Sequence, residues 1–109
     1  MTLEISPIYR LVIGKDNNGR SVAVWIDKNI VYSIYMDQGI SGDKVLELSE
    51  KKGLIGAYET QLVYVPKFIA ASGGLSEGVY WWVKGKGKTM LFNFHSGEVS
   101  RETGNDINP

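Results

Sequence analysis

The sequence predicts an α+β fold: a twisted, mainly antiparallel sheet of about five or six strands with one helix packed on it. Three observations carry that expectation. Valine and isoleucine together number twenty against twelve leucines and alanines, and branching at Cβ suits a pleated surface better than a helix. Thirteen glycines divide the chain into short segments. Only one stretch, Gly42–Lys52, carries both ends of a helix. At 109 residues, the chain fits one domain, with Glu102–Pro109 read as a frayed polar tail.

The elements follow in order. Ile8–Ile13 reads as a strand, and Lys15-Asp16-Asn17-Asn18-Gly19-Arg20 as a hairpin turn whose Asn and Gly tolerate positive φ. Ser21–Ile26 returns with Val22, Val24 and Ile26 on one face. Asp27-Lys28-Asn29 turns into Ile30–Met36, where Ile30, Tyr32, Ile34 and Met36 share a face. Ser41 then caps a helix, and Asp43 in its first turn suits the macrodipole. Glu47 is spaced to pair with Lys51, Gly53 suits a left-handed stop, and Val45, Leu46 and Leu48 form a narrow apolar stripe. Tyr58–Val65 is a strand ended by Pro66. Lys67–Ser72 reads equally as a short helix or an extended connection.

The hairpin of Gly78–Lys84 and Lys88–His95 holds most of the functional signal. A three-residue loop, Gly85-Lys86-Gly87, sets Lys84 opposite Lys88, Trp82 opposite Met90 and Tyr80 opposite Phe92. Tyr80, Trp82, Met90, Phe92 and Phe94 then face the core. Val79, Trp81, Val83, Thr89, Leu91, Asn93 and His95 take the other, mixed face. Trp81 is either covered by the helix or stands as an exposed binding anchor. Lys84, Lys86 and Lys88 gather positive charge at the tip beside it, suited to an acidic protein face.

Composition and motifs exclude more than they identify. Twelve basic residues balance twelve acidic ones, where nucleic-acid binders usually carry a basic excess. The absence of cysteine removes disulfides, thiolate metal sites and a cysteine nucleophile. No apolar run nears the roughly 18 residues of a membrane span, and Met1–Pro7 lacks a signal-peptide pattern, so a cytoplasmic location is expected. Gly85-Lys86-Gly87-Lys88-Thr89 ends like a phosphate-binding loop, but Trp82 stands where that motif needs glycine, and a strand follows where it needs a helix. Neither Ser96 nor Ser100 sits in a nucleophile elbow. The turn carboxylates Asp27, Asp37 and Asp43 form no close pair.

These features point to a non-enzymatic binding module, an inhibitor or neutraliser of another protein with an acidic surface, acting through Trp81, Lys84, Lys86 and Lys88. No cofactor or metal is expected. The alternative is a metal-independent ribonuclease or toxin domain, with the lone His95 carrying the proton and Arg101 stabilising phosphate. A third reading is a homodimer through a sheet edge, Ile8–Ile13 or Tyr58–Val65.

Overall fold

A computed structural model describes residues 9–57 and 59–104. Three strands come first: β1 (Arg10–Lys15), β2 (Ser21–Asp27) and β3 (Asn29–Tyr35). A 3-10 turn (Met36–Gln38) and helix α1 (Gly42–Lys51) lead to β4 (Glu59–Val65), helix α2 (Lys67–Gly73), β5 (Gly78–Gly85), β6 (Lys88–Asn93) and β7 (Val99–Gly104). The α+β class holds, but the strands form two antiparallel sheets rather than one. One is three-stranded, β1-β2-β3; the other is four-stranded, β4-β5-β6-β7. The chain leaves β3 through α1 and re-enters at β4, which pairs with β5 and not with the first sheet. Local pairings therefore give no sign that the sheet has broken. The expected strand starts at Ile8 and Tyr58 lie outside the described residues.

The first sheet shows how one irregularity reverses a face. The β1–β2 turn is held as expected, with the Asp16 carboxylate accepting from the amides of Asn18 at 2.8 Å and Arg20 at 3.0 Å. Across β2 and β3, Ala23 opposes Ile34 and Trp25 opposes Tyr32, and these face the core. A register shift after Trp25 then sets Ile30 opposite Ile26. Ile30 is consequently split from Tyr32 and Ile34 and left 67% exposed, because a bulge moves the residues beyond it to the other side of the pleat. Val22, Val24 and Ile26 form the half-exposed outer face.

Helix α1 forms where its caps require. The Ser41 hydroxyl accepts from the Lys44 amide at 3.1 Å, Asp43 lies in the first turn, and Gly53 takes φ +92. Glu47 bonds Lys44 at 3.2 Å, an i,i+3 pair in place of the expected one with Lys51. Val45 and Ser49 are fully buried on its inner side, and the Ser49 hydroxyl donates to Leu46 O at 2.7 Å.

The four-stranded sheet is covered on its inner face and, by α2, on part of its outer face. One core cluster joins its inner face (Leu62, Trp81, Phe92) to Val45 of α1 and to Trp25 and Ile34 of the first sheet. Along that seam the Tyr32 and Tyr64 rings stack 4.5 Å apart at 6°. Segment Lys67–Gly73 resolves as a helix, and its Ala70 packs with Val63, Val65, Tyr80 and Leu91 on the outer face. The segment expected to be frayed from Glu102 onward instead continues β7. Met90 opposes Glu102, Thr89 opposes Thr103 and Lys88 opposes Gly104. Residues 105–109 lie outside the described range.

Candidate functional site

The β5–β6 hairpin places the candidate surface, and its register is one residue from the expected one. Trp81 opposes Phe92, Val83 opposes Met90, and Gly85 opposes Lys88, leaving Lys86-Gly87 as the turn. Within that turn Gly87 supplies the positive φ, +75. Gly85 is not a turn residue at all. A Cβ there would lie 2.7 Å from Leu54 Cγ and 2.9 Å from Ile55 O, and the neighbouring Lys86 amide donates to Ile55 O at 2.8 Å. The glycine lets the 54–55 segment cross the strand at backbone distance, a long-range need that turn chemistry does not reveal.

One step of register exchanges the two faces of the hairpin. Val79, Trp81, Val83, Met90, Phe92 and Phe94 point into the core, whereas Tyr80, Trp82 and Lys84 point outward. Trp81 is 8% exposed. Its indole donates to Ile40 O at 3.0 Å, and a Cβ on Gly42 would sit 3.4 Å from its ring. Of the two readings of Trp81, the covered one describes the structure, so it is not an anchor that a partner can touch. Its neighbour Trp82 is partly exposed on the outer face.

Trp82 lies in a row across the outer face, Gln61–Trp82–Leu91–Arg101. The next row toward the tip is Glu59–Lys84–Thr89–Thr103. Helix α2 covers the far end of this face, around Val65 and Tyr80, and the cluster it caps extends to the buried Leu91 and to one side of Trp82. The near end keeps Gln61, Trp82, Lys84, Thr89, Arg101 and Thr103 half-exposed. The Lys84 ammonium stands 5.0 Å from the Trp82 ring centroid, within cation–π range. Aromatic area, two cations, two hydroxyls and an amide thus share one sheet surface.

The three lysines do not form a single cluster. Alternation along the strands sends Lys84 to the outer face and Lys88 to the inner one, where its ammonium pairs with Glu102 at 3.2 Å. Lys86 is exposed in the turn. The expected three-lysine tip is therefore Lys84 and Lys86, with Lys88 neutralised by a strand that sequence patterning missed.

His95 and Arg101 occupy different parts of the hairpin region. His95 lies in the turn after β6, at the end away from the lysines. Its Nδ1 is 3.0 Å from Gln38 O; a carbonyl only accepts, so Nδ1 is the donor in this contact. The ring also meets Phe94 edge-on at 5.3 Å, and its backbone amide donates to Asn93 Oδ1 at 2.9 Å. Arg101 sits mid-strand opposite Leu91, 3.5 Å from where a Cβ on Gly74 would lie.

Away from this face, a groove of about 400 Å³ along α1 is lined by Asp43, Glu47, Glu50, Leu46, Gly56 and Ala57. Its three carboxylates carry the opposite charge to Lys84 and Lys86. Among the described residues, no three His, Asp or Glu are grouped to hold a metal ion, and no helix is long and apolar enough to cross a membrane.

No family model matches the chain, and no curated protein matches it. Among solved structures the fold is similar to that of the YpmB protein from Bacillus subtilis. The TM-score is 0.66 at 25% identity, covering 88% of this chain and 74% of that one.

Proposed function

We propose that the protein is a non-enzymatic binding module that holds an acidic surface of another protein against the outer face of its four-stranded sheet. Trp82 is the apolar anchor, and Lys84 and Lys86 supply the charge. The observation that supports this most is the partly exposed Trp82 ring at the margin of the α2-covered cluster, with the Lys84 ammonium 5.0 Å from it. Tryptophan and cations in that arrangement match the composition of interface hot spots, where truncating one anchor costs about 2 kcal/mol or more. An inhibitor or neutraliser is the form of module this surface suits, since it presents a rigid strand pair rather than a pocket. A cytoplasmic location belongs to the same proposal, and cell fractionation tests it.

The experiment is a nuclease-treated pull-down with three proteins: the native chain, Trp82→Ala, and Lys84→Glu combined with Lys86→Glu. A stoichiometric protein partner held by the native chain and lost by both variants supports the reading. The same partner retained by both variants overturns it. So does recovery of RNA alone in the untreated sample, which turns attention to His95.

A further inference from the structure

The geometry points to a second surface: β1, an edge strand among the described residues, pairs antiparallel with β1 of a second copy about Val12, joining two three-stranded sheets into one of six strands. It is independent of the Trp82 face, since β1 belongs to the other sheet.

Among the described residues, strand β1 pairs with β2 on one side and with no strand on the other. No hydrogen bond recorded among the described residues occupies its other side. An edge of this kind presents a row of unmet amides and carbonyls that another strand satisfies. The side chains here favour pairing. Val12 is 44% exposed and Ile13 54%, where soluble proteins usually place charges or proline on a free edge.

Symmetry and register select the partner. A two-fold axis normal to a sheet keeps each face continuous, so a residue pairs only with one of the same parity. Centring on Val12 sets Val12 on Val12 of the second copy, Leu11 on Ile13, and Arg10 on Gly14. Each exposed apolar residue then meets another, and neither Arg10 nor Lys15 opposes a cation. On the outer face, Val12 is already in line with Val24 and Ser33, so the joined sheet carries an unbroken valine row, Val24–Val12–Val12–Val24. Cross-strand aliphatic pairs of this type stabilise a ladder. Centring on Ile13 instead opposes Leu11 to Lys15 and leaves Val12 against glycine.

The other edges fit a second copy less well. A symmetric β7 pair centres on Arg101 or on Glu102 and so opposes like charges. Strand β3 is interrupted by its bulge at Val31. Strand β4 carries the Tyr9 and Tyr32 rings against its Tyr64.

The test is the mass of the full chain by sedimentation over a wide concentration range, with three variants. Twice the monomer mass at high concentration is expected. Val12→Lys, which sets two ammonium groups on the axis, should restore the monomer with an unchanged circular dichroism spectrum. Ile30→Lys, on the same outer face but on the far strand, should remain dimeric. Val12→Cys reports the register without relying on repulsion. Directly opposed residues in an antiparallel pair have Cα atoms about 4.5 or 5.5 Å apart, both within disulfide reach. Mild oxidation with glutathione disulfide should therefore crosslink it into a dimer faster than Lys15→Cys. A monomer at every concentration overturns the inference. So does a dimer that Ile30→Lys dissolves and Val12→Lys does not, because that pattern belongs to face-to-face packing. A Val12→Cys protein that crosslinks no faster than Lys15→Cys also overturns it.

Discussion

The indole nitrogen of Trp81 donates to the carbonyl of Ile40 at 3.0 Å, across 41 positions of sequence. Ile40 lies just before the cap of α1, and its amide in turn donates to Phe94 O at 2.9 Å. The start of the helix is thus tied to β5 by a side chain and to the end of β6 by backbone. This ties the tryptophan to folding rather than to a partner. Trp81→Phe keeps most of the ring but leaves Ile40 O without its donor, at a cost of about 1–3 kcal/mol. Trp81→Ala also opens a cavity and should cost about 3–5 kcal/mol. Urea denaturation of both, beside Trp82→Ala, checks this. Equal losses at positions 81 and 82 would contradict the assignment of inner and outer faces.

Two glycines should respond to alanine in opposite directions. At Gly85 a methyl group meets Leu54 and the Ile55 carbonyl at 2.7–2.9 Å, so Gly85→Ala must displace the crossing segment, at about 1–3 kcal/mol. At Gly14 nothing lies within 4 Å and φ is not positive. Gly14→Ala should gain about 0.4–1 kcal/mol by restricting the unfolded chain. Thermal melts of the two variants read the sign directly, and a destabilised Gly14→Ala would count against an open β1.

Lys28 holds φ at +70 between the paired residues Asp27 and Asn29. For a residue with a Cβ that conformation costs about 1–2 kcal/mol, and glycine avoids it at an entropic cost of about 0.5–1 kcal/mol. Lys28→Gly should therefore raise the urea midpoint by a small amount with an unchanged denaturant slope. A lower midpoint would mean that the lysine side chain contributes more than its backbone strain removes.

What could be read from the sequence was what neighbouring residues decide. Ser41, Asp43 and Gly53 mark the ends of α1 because capping is local, and Asp16 and Gly19 mark the first hairpin for the same reason. The features that were missed depend on distant residues. Gly85 resembles a turn glycine until Leu54 and Ile55 are seen crossing it, and that single misassignment exchanged Trp81 for Trp82 in the candidate site. The two-residue loop Lys86-Gly87 is itself a familiar hairpin connection, and it fits the observed register. Strand β7 has Val99 as its only strong apolar residue. It is an edge strand recognised by its partner β6, and with it went the Lys88–Glu102 pair. The split into two sheets depends on where β4 finds its neighbour, which no local pattern encodes.

The last expectation concerns alkaline pH. Burial, reinforced by the hydrogen bond that its hydroxyl donates to Glu77 at 2.8 Å, pushes the Tyr64 phenol up to about 12. In the unfolded chain the same group loses its proton near pH 10. Between these values the folded protein binds the proton and the unfolded protein does not, so stability falls as pH rises through that window and is fully present below it. Tyr80, raised by burial as well, acts in the same direction. Tyr64→Phe retains the stack on Tyr32 and removes the titrating hydroxyl. The variant should be about 1 kcal/mol less stable at neutral pH through loss of the bond to Glu77, yet lose less stability than the native chain above pH 10. Urea midpoints for both proteins measured from neutrality to strongly alkaline pH test this. Parallel curves would show that the Tyr64 proton is not coupled to folding.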